Sequence, residues 1–290
     1  MKKLTPIAQA LKTECVLYDL ADASYRMAPG ISQSQLKVLA ISPADFQLSL
    51  KQPVEPTPAM IFGRIAHHVL LTPKALPFWV VKPEGLNLNS VEGKAWKQAN
   101  AGRVRIDLAT MGEIINICAK LNADETVKLA LTGAKREVSW FAYYKAGKSK
   151  VRRKGRIDVV PKGPALIDFK FVEDARQPAF DRFVKDQKHH IQAAYYLDGY
   201  NALMPGDQKS AFVFIAVEKT PPYHVQFYEL DTADIEDGRT EYRRLLATYI
   251  ECRKTDTWPE HSEQYPEGVR KLKLRRWGKN PAQDGDLIIQ

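Results

Sequence analysis

Two aspartates and a lysine stand in short apolar runs where a buried strand would ordinarily carry valine or isoleucine. Asp158 lies in "GRIDVV", and Asp168 and Lys170 lie in "ALIDFK". Residues of like parity in a strand point to one face, so Asp168 and Lys170 share a side. A turn at Gly163 and Pro164 joins the two runs into a hairpin and brings Asp158 opposite Asp168. The pattern therefore predicts two neighbouring carboxylates with a lysine beside them.

Such a cluster needs a cation. Burying a charged side chain is costly unless it is paired or binds a metal, and two carboxylates about 4 Å apart repel by roughly 4 kcal/mol at an effective dielectric of 20. Lys170 offsets one charge and a divalent metal ion the other, and hard oxygen ligands favour Mg²⁺ or Mn²⁺ over zinc. From spacing alone, a simple ion pair on a sheet face remains an open alternative.

Positive charge surrounds this candidate site in the sequence. The 290-residue chain carries a formal net charge of +9. A run without acidic residues leads directly into the strand of Asp158, and a second cluster, "RKLKLRRWGK", contains Trp277. The first run consists of Lys145, Lys148, Lys150, Arg152, Arg153, Lys154 and Arg156. Basic residues beside carboxylates are typical of proteins that approach a phosphodiester backbone.

Composition excludes several other classes. Polar and charged residues interrupt the opening segment before a secretory h-region could form, and no segment offers about 18 uncharged apolar residues. We therefore expect a cytoplasmic protein without a membrane partner. Cys15, Cys118 and Cys252 are too far apart for a zinc or iron–sulfur pattern, and their odd number argues against a disulfide framework. The absence of a GxxxxGK(S/T) motif excludes an ATP-driven motor in this chain.

The periodicity predicts helices first and strands later. Two helices begin in "ISQSQLKVLAISPADF", the second with Ser42 as N-cap and Pro43 at its first position. Further helices are predicted at 59–71, 110–122, 124–131, 186–203 and 232–254, and Gly133 is a plausible C-cap. Strands are predicted at 136–144, 151–160, 165–172, 211–218 and 223–230. This order indicates an α/β fold with a mixed central β-sheet flanked by helices.

Three regions follow from this organisation. The proline-rich "KQPVEPTP" ends the helical structure that precedes it. We therefore expect an N-terminal helical leader over residues 1–55 that packs on a core at 56–258. A basic C-terminal tail occupies 259–290.

The motifs together resemble the PD-(D/E)xK nucleases, and within them the RecE-like exonucleases of the wider RecB-type group. Asp158 matches the first aspartate of that family, and Asp168 and Lys170 match its (D/E)xK element. Gln192 and Tyr196 in "QAAYY" match the QxxxY motif of this branch, and their spacing places them on one helical face. The similarity spans most of residues 30–255.

Two more positions are similar to family residues. His67 in "GRIAHHVLL" follows Gly63 by four and resembles the GxxxH metal-binding histidine of RecB-type enzymes. Glu137 resembles the acidic residue that precedes the first aspartate in related phage exonucleases. The sequence departs from the usual pattern at Ile157, where the family often carries proline.

The resemblance implies a PD-(D/E)xK core and Mg²⁺-dependent hydrolysis of DNA, with Mn²⁺ as a substitute. His67, Asp158, Asp168 and the main-chain carbonyl of Phe169 would hold the metal. Lys170 would orient the attacking water, and Gln192 and Tyr196 would fix Lys170 or a DNA phosphate, with Glu137 in the same site. The expected contacts to the DNA backbone are Arg152, Arg153, Lys154, Arg156, Arg275 and Arg276.

The same resemblance implies a processive exonuclease that acts on linear duplex DNA in the 5′ to 3′ direction during recombination and repair. It also implies a ring-shaped homo-oligomer and a partner protein that anneals the remaining single strand, as in phage systems. Two other functions stay open: a DNA-binding recombination scaffold whose site has decayed, and a metal-dependent enzyme that acts on RNA or nucleotides.

Overall fold

The computed structural model of the chain describes residues 6–52 and 55–260. Arg275, Arg276, Trp277 and all but the first two residues of the predicted 259–290 tail lie outside the described residues. None of the helices in the described part of the chain has the length and apolar character needed to span a bilayer.

A six-stranded mixed sheet forms the centre of the fold. The strands of the chain are β1 (Cys15–Leu17), β2 (Trp79–Val81), β3 (Val104–Ile106), β4 (Lys135–Ala146), β5 (Ser149–Val160), β6 (Ala165–Val172), β7 (Ala211–Glu218) and β8 (Val225–Glu229). The central order is β1-β4-β5-β6-β7-β8, while β2 and β3 pair separately. Strands β6 and β7 are parallel, and the other neighbours in the sheet are antiparallel. The α/β fold class and the five predicted strands are confirmed.

Eleven helices are present in the described residues. They are α1 (Pro6–Lys12), α2 (Asp22–Met27), α3 (Gln33–Leu39), α4 (Pro43–Lys51), α5 (Pro58–Leu71), α6 (Val91–Ala99), α7 (Leu108–Ala123), α8 (Glu125–Leu131), α9 (Gln177–Asp186), α10 (His189–Asn201) and α11 (Thr232–Thr255). Ser42 caps α4 through the Asp45 amide with Pro43 in its first turn, as predicted. Gly133 follows α8 with φ +67° and confirms the predicted C-cap position.

Helices cover both faces of the sheet. On one face, buried residues of α3, α4, α10 and α11 pack against alternate residues of the strands, including Trp140 and Phe212. On the other face, α5, α7 and α8 pack against Val159, Ile167 and Phe169. The hydrophobic core is thus divided into two layers by the sheet, and α5 and α10 approach β5 and β6 from opposite sides.

Trp140 fixes the position of α10 over the sheet. Its buried indole lies against two glycines, Gly155 on β5 and Gly199 on α10. A Cβ at either glycine would lie 2.4 Å from an atom of the Trp140 ring. Because no side chain fits there, the ring and the two backbones form one packed unit. This unit holds the helix that carries Gln192 and Tyr196.

Residues 6–31 contribute to the sheet itself. Strand β1 pairs with β4 through Val16 and Trp140, and Ile31 forms a parallel bridge to Arg153. The three-residue β1 was not predicted, because so short a strand carries no periodic signal. The N-terminal segment, defined as residues 6–31, therefore runs along the β4–β5 hairpin as its edge.

Candidate active site

Asp168 and Lys170 form an ion pair on the α10 side of β6. Lys170 Nζ lies 2.5 Å from Asp168 Oδ2. Gln192 of α10 reaches both residues: its Nε2 donates to Asp168 Oδ1 at 2.5 Å, and its Oε1 accepts from Lys170 Nζ at 3.1 Å. The structure therefore brings together three of the predicted site residues. The shared amide fixes the aspartate and the lysine relative to each other.

Asp158 lies at a point where the alternation of β5 changes. Residues two apart in a strand normally share a face, yet Ile157 packs on the α10 side and Val159 on the α5 side. Val159 pairs with Ile167 of β6. The Asp158 carboxylate accepts a hydrogen bond from the Phe169 amide at 2.8 Å. The change of face thus places Asp158 directly against the strand that carries Asp168.

His67 of α5 approaches Asp158 from the opposite face of the sheet to α10. Its Nδ1 lies 3.3 Å from Asp158 Oδ2. Nδ1 is buried and has no hydrogen-bond partner among the described residues. His68, one residue on, packs instead against Phe78 and Trp79. Helical geometry therefore aims His67 alone of the two histidines at the carboxylates.

Glu137 on β4 is level with Asp158. The neighbouring pairs are Arg136 with Val159 and Val138 with Ile157, so Glu137 stands across from Asp158. Its backbone has φ +50°, a conformation that is uncommon outside glycine and often associated with functional sites. Glu137, His67 and Asp158 offer ligand atoms that all lie within 4.8 Å of one another. Strand β4 thus supplies a third acidic residue to the cluster.

The electrostatics of the cluster favour a bound cation. Burial raises the pKa of Asp158 well above its ordinary value, and the neighbouring Asp168 charge raises it further. Burial and the charge of Asp158 raise the pKa of Glu137 to about 7. Burial lowers the pKa of His67, which favours its neutral form. Carboxylates that resist ionisation beside a neutral imidazole gain stability from a positive ion among them.

The donor set fits a divalent metal. A neutral imidazole with an unpartnered Nδ1, two carboxylates and further oxygens nearby provide the mixed nitrogen and oxygen ligands of divalent metal sites. Mg²⁺ and Mn²⁺ both accept such a set. Of the predicted metal ligands, His67 and Asp158 are members of this group, and the third member is Glu137, which was predicted as an active-site residue. The predicted ligand Asp168 is not in the group, because its oxygens bond to Lys170 and Gln192.

Tyr196 is buried beneath the site. It packs near Trp140 and Phe212, and burial raises the pKa of its phenol well above the usual value, with Asp168 and Asp158 adding to the effect. Its place one turn after Gln192 matches the predicted shared helical face. Tyr196 is thus close enough to both aspartates for their charges to act on its phenol.

Two residues near the site were missed by the sequence analysis. His189 Nδ1 lies 2.9 Å from Gln192 Oε1, and Lys37 Nζ of α3 lies 3.5 Å from the same His189 nitrogen. Since Gln192 Nε2 donates to Asp168, Gln192 Oε1 must be the acceptor in its bond with His189. His189 Nδ1 is therefore the donor and carries a proton. That nitrogen cannot accept from Lys37. Lys37 therefore lies beside the site without using His189 as an acceptor, and burial together with the charge of Lys170 lowers its pKa to about 7.

The basic run of β5 is engaged with the N-terminal segment. Lys154 Nζ donates to the carbonyls of Tyr25, Arg26 and Ala28 at 3.1, 3.1 and 2.6 Å. Arg152 donates to the carbonyls of Pro29, Ala10 and Thr13. Arg156 donates to the Leu20 carbonyl and lies 3.6 Å from Glu137. Their predicted contact with DNA stays a prediction, and their positions in the fold are explained by these bonds.

Comparisons with known proteins identify the family and the fold. Residues 32–266 match the family described as PDDEXK-like domain of unknown function (DUF3799), and the chain belongs to that family. The fold is similar to a crystal structure described as a "Putative exonuclease" from Eubacterium rectale, with a TM-score of 0.57 and 14% identity over 89% of this chain and 96% of the other. A crystal structure of a protein named SSO0001 aligns with a TM-score of 0.30 and 16% identity over 65% of this chain and 86% of the other. A search of curated proteins found no match.

The family and the fold define the class of the protein. The mixed sheet flanked by helices is the PD-(D/E)xK nuclease fold, and the predicted superfamily is confirmed. The Asp158, Asp168 and Lys170 cluster lies on the strands where the sequence motifs placed it. Family and fold together indicate a nuclease with a group of residues suited to a divalent metal.

Proposed function

We propose that the protein is a Mg²⁺-dependent exodeoxyribonuclease that hydrolyses the phosphodiester bonds of linear double-stranded DNA. The observation that carries this proposal is the convergence of Asp158, Asp168 and Lys170 with His67 and Glu137 at one level of the sheet. An intact set of this kind argues against the decayed scaffold, because a scaffold has no need to keep buried charges together.

The metal would be held by His67, Glu137, Asp158, Asp168 and the main-chain carbonyl of Phe169. When bound, Mg²⁺ supplies Lewis-acid activation of the phosphoryl group and lowers the pKa of a coordinated water. The Phe169 amide keeps the Asp158 carboxylate directed into the cluster. Asp168 is oriented by the Gln192 amide, which donates a hydrogen bond to its Oδ1.

Lys170 would act on the reacting phosphate. Its ammonium is fixed by Asp168 and Gln192, so it is preorganised to orient a water molecule and to stabilise the negative charge that develops on the phosphate oxygens. His189 holds Gln192 in the orientation that this arrangement requires. Lys37 would contact a substrate phosphate beside the cluster, because no hydrogen bond to His189 uses its ammonium.

The finer features of the proposal follow the RecE-like resemblance. They are 5′ to 3′ degradation from a free end, a ring-shaped homo-oligomer, a cytoplasmic role in recombination and repair, and release of single-stranded DNA to an annealing protein. The leader over residues 1–55 would pack on the nuclease core at 56–258. Arg275 and Arg276 in the 259–290 tail would contribute backbone contacts.

The first experiment compares linear with covalently closed duplex DNA, in Mg²⁺ or EDTA. The wild type is tested beside Asp168→Asn and the matched control Asp181→Asn, an exposed aspartate of α9. We expect loss of linear DNA only, in Mg²⁺ only, with activity in the control and at least about a hundredfold less in Asp168→Asn. Intact linear DNA that is retarded on a gel would favour the scaffold, and preferential cleavage of RNA would favour a ribonuclease.

A further inference from the structure

Arg153 is a buried cation without a counterion. It lies on β5 and is 5% exposed. Its Nε and Nη1 are buried and have no hydrogen-bond partner, and no carboxylate of the described residues forms an ion pair with it. Its neighbours in the basic run, Arg152 and Lys154, instead donate to carbonyl groups of the N-terminal segment. Arg153 thus differs from Arg152 and Lys154 because its guanidinium makes no such hydrogen bonds.

Aromatic rings surround the guanidinium and account for part of its stability. Its central carbon lies 5.6 Å from the Trp140 ring, 5.8 Å from Tyr144, 5.3 Å from Tyr195 and 5.8 Å from Tyr242. Each ring attracts a cation, but none carries a net negative charge. The hydroxyls of Tyr195 and Tyr242 are used elsewhere, since they donate to the Ile31 carbonyl and to Asp198. A buried charge of this kind still favours an anion nearby.

A cavity of about 620 Å³ opens on this guanidinium. Its charged lining residues are three arginines, Arg153, Arg239 and Arg243, and one aspartate, Asp198, which gives a formal charge of +2. Asp198 is already occupied, because Arg239 donates to both of its oxygens at 2.8 to 3.0 Å and Tyr242 donates to Oδ2. Arg243 lies 3.6 Å from the same carboxylate, at Asp198 Oδ2, and Arg239 pairs in addition with Glu236. Three arginines are thus balanced by two carboxylates, and the cavity keeps an excess positive charge, that of Arg153.

We propose that this cavity is a second oxyanion site that binds a phosphate group. The excess positive charge of Arg153 suits an anion, and arginine is the side chain best suited to bind phosphate oxygens. The site is separate from the catalytic carboxylates. Arg153 and Asp158 are five residues apart on one strand, which corresponds to about 17 Å. The proposal does not depend on hydrolysis at Asp158 and Asp168.

The test uses inorganic phosphate and the full-length protein in EDTA, at constant ionic strength maintained with chloride. We expect phosphate to raise the melting temperature of the wild type, because a ligand of the folded state stabilises it. Arg243→Gln should weaken phosphate affinity about tenfold, which corresponds to about 1.4 kcal/mol. Arg153→Met should abolish the effect, and an apolar side chain in the aromatic cage should leave the ligand-free fold intact.

Two control variants separate this site from other surfaces. Arg244→Gln, next to Arg243 but paired with Glu241, should keep the wild-type affinity. Lys170→Met should also keep it, since that lysine belongs to the catalytic cluster. The proposal fails if phosphate affinity survives Arg153→Met and Arg243→Gln, or if Lys170→Met removes it. Should Arg153→Met not fold, Arg243→Gln against Arg244→Gln decides the question alone.

The source of the phosphate group is resolved by two further probes. Thymidine 5′-monophosphate represents a free phosphomonoester, and a short duplex without terminal phosphates represents the DNA backbone. If a probe competes with inorganic phosphate and this competition is weakened in Arg243→Gln, the site is assigned to the chemical class of that probe. If neither probe competes, the site binds free phosphate. If no phosphate binds to the wild type, the proposal is wrong.

Discussion

A single amide organises the catalytic cluster at the scale of residues. Gln192 contacts Asp168, Lys170 and His189 at once, and only one orientation of its side chain satisfies all three. The partners come from β6 and from the first turn of α10. Because the amide is buried, loss of any one partner would leave a polar group without a bond. The side chain of Lys170 thus owes its position to residues that need not touch substrate.

The first prediction concerns Lys37. If its ammonium contacts a DNA phosphate, Lys37→Met removes one counterion-releasing contact, and the slope of log affinity against log salt becomes less steep by about 0.9. DNA binding is measured in EDTA over a range of salt concentrations, at a pH below 7, because the pKa of Lys37 is lowered to about 7 and the lysine must be protonated. Lys51→Met, an exposed lysine at the end of α4, is the matched control and should leave the slope unchanged. An unchanged slope in Lys37→Met would place Lys37 outside the DNA interface.

The second prediction concerns Glu137. If this carboxylate is a metal ligand, Glu137→Gln should weaken Mn²⁺ affinity by about tenfold or more, as loss of a site residue typically does. Titration calorimetry on the metal-free protein measures this directly. Glu125→Gln, an exposed residue at the start of α8, should have the wild-type affinity. Wild-type affinity in Glu137→Gln together with its loss in Asp158→Asn would assign Glu137 a structural role.

The elements were largely predictable because their signals are local. Strands β4 to β8 carry β-branched and aromatic runs, and α4 carries Ser42 and Pro43 at its start. Strand β1 and helix α9 are among the elements that were not predicted: β1 is too short to show a period, and no helix was predicted between 172 and 186. Both depend on tertiary contacts for their stability.

The site was predictable only where a motif marked it. Asp158, Asp168, Lys170 and Gln192 have fixed spacing along neighbouring elements, and the structure brings them together. Lys37 is far from them in sequence and reaches the cluster only because α3 packs beside α10. Glu137 was predicted as a site residue, but its left-handed backbone, opposite the change of face in β5, is not encoded by a local pattern. Long-range packing therefore sets the part of the site that the sequence left out.

A prediction at the scale of elements tests the contact between α10 and the sheet. Gly199→Ala should lower the free energy of unfolding by about 1 to 3 kcal/mol, because the new methyl group would overlap the Trp140 ring. Gly112→Ala in α7 is the control, since no atom lies within 4 Å of its Cβ position. That substitution should stabilise the protein by up to about 1 kcal/mol. Denaturant unfolding of both variants measures the difference, and equal effects would contradict the packing argument.

At the scale of the whole molecule, the positive charge has several separate uses. Within the basic run, Arg152, Lys154 and Arg156 hold the N-terminal segment, and Arg153 lies among aromatic rings. Lys145, Lys148 and Lys150 remain exposed. A count of charges along the sequence therefore overstates the number of cations that face solvent. The alternation of the strand, rather than the total charge, decides which residues can meet an anionic partner.

The last prediction concerns the attachment of the N-terminal segment to β5. Lys154→Met removes the common donor to three carbonyl groups, of Tyr25, Arg26 and Ala28, and leaves them without it in a buried setting. We expect the free energy of unfolding to fall by about 3 kcal/mol, because each of the three lost hydrogen bonds contributes about 1 kcal/mol or more. Limited trypsin digestion should cleave after Arg26 sooner than in the wild type, since detachment of the segment exposes α2. Lys148→Met, in the exposed turn of the same hairpin, should change neither quantity. Equal digestion rates in the two variants would mean that β1 pairing alone retains the segment.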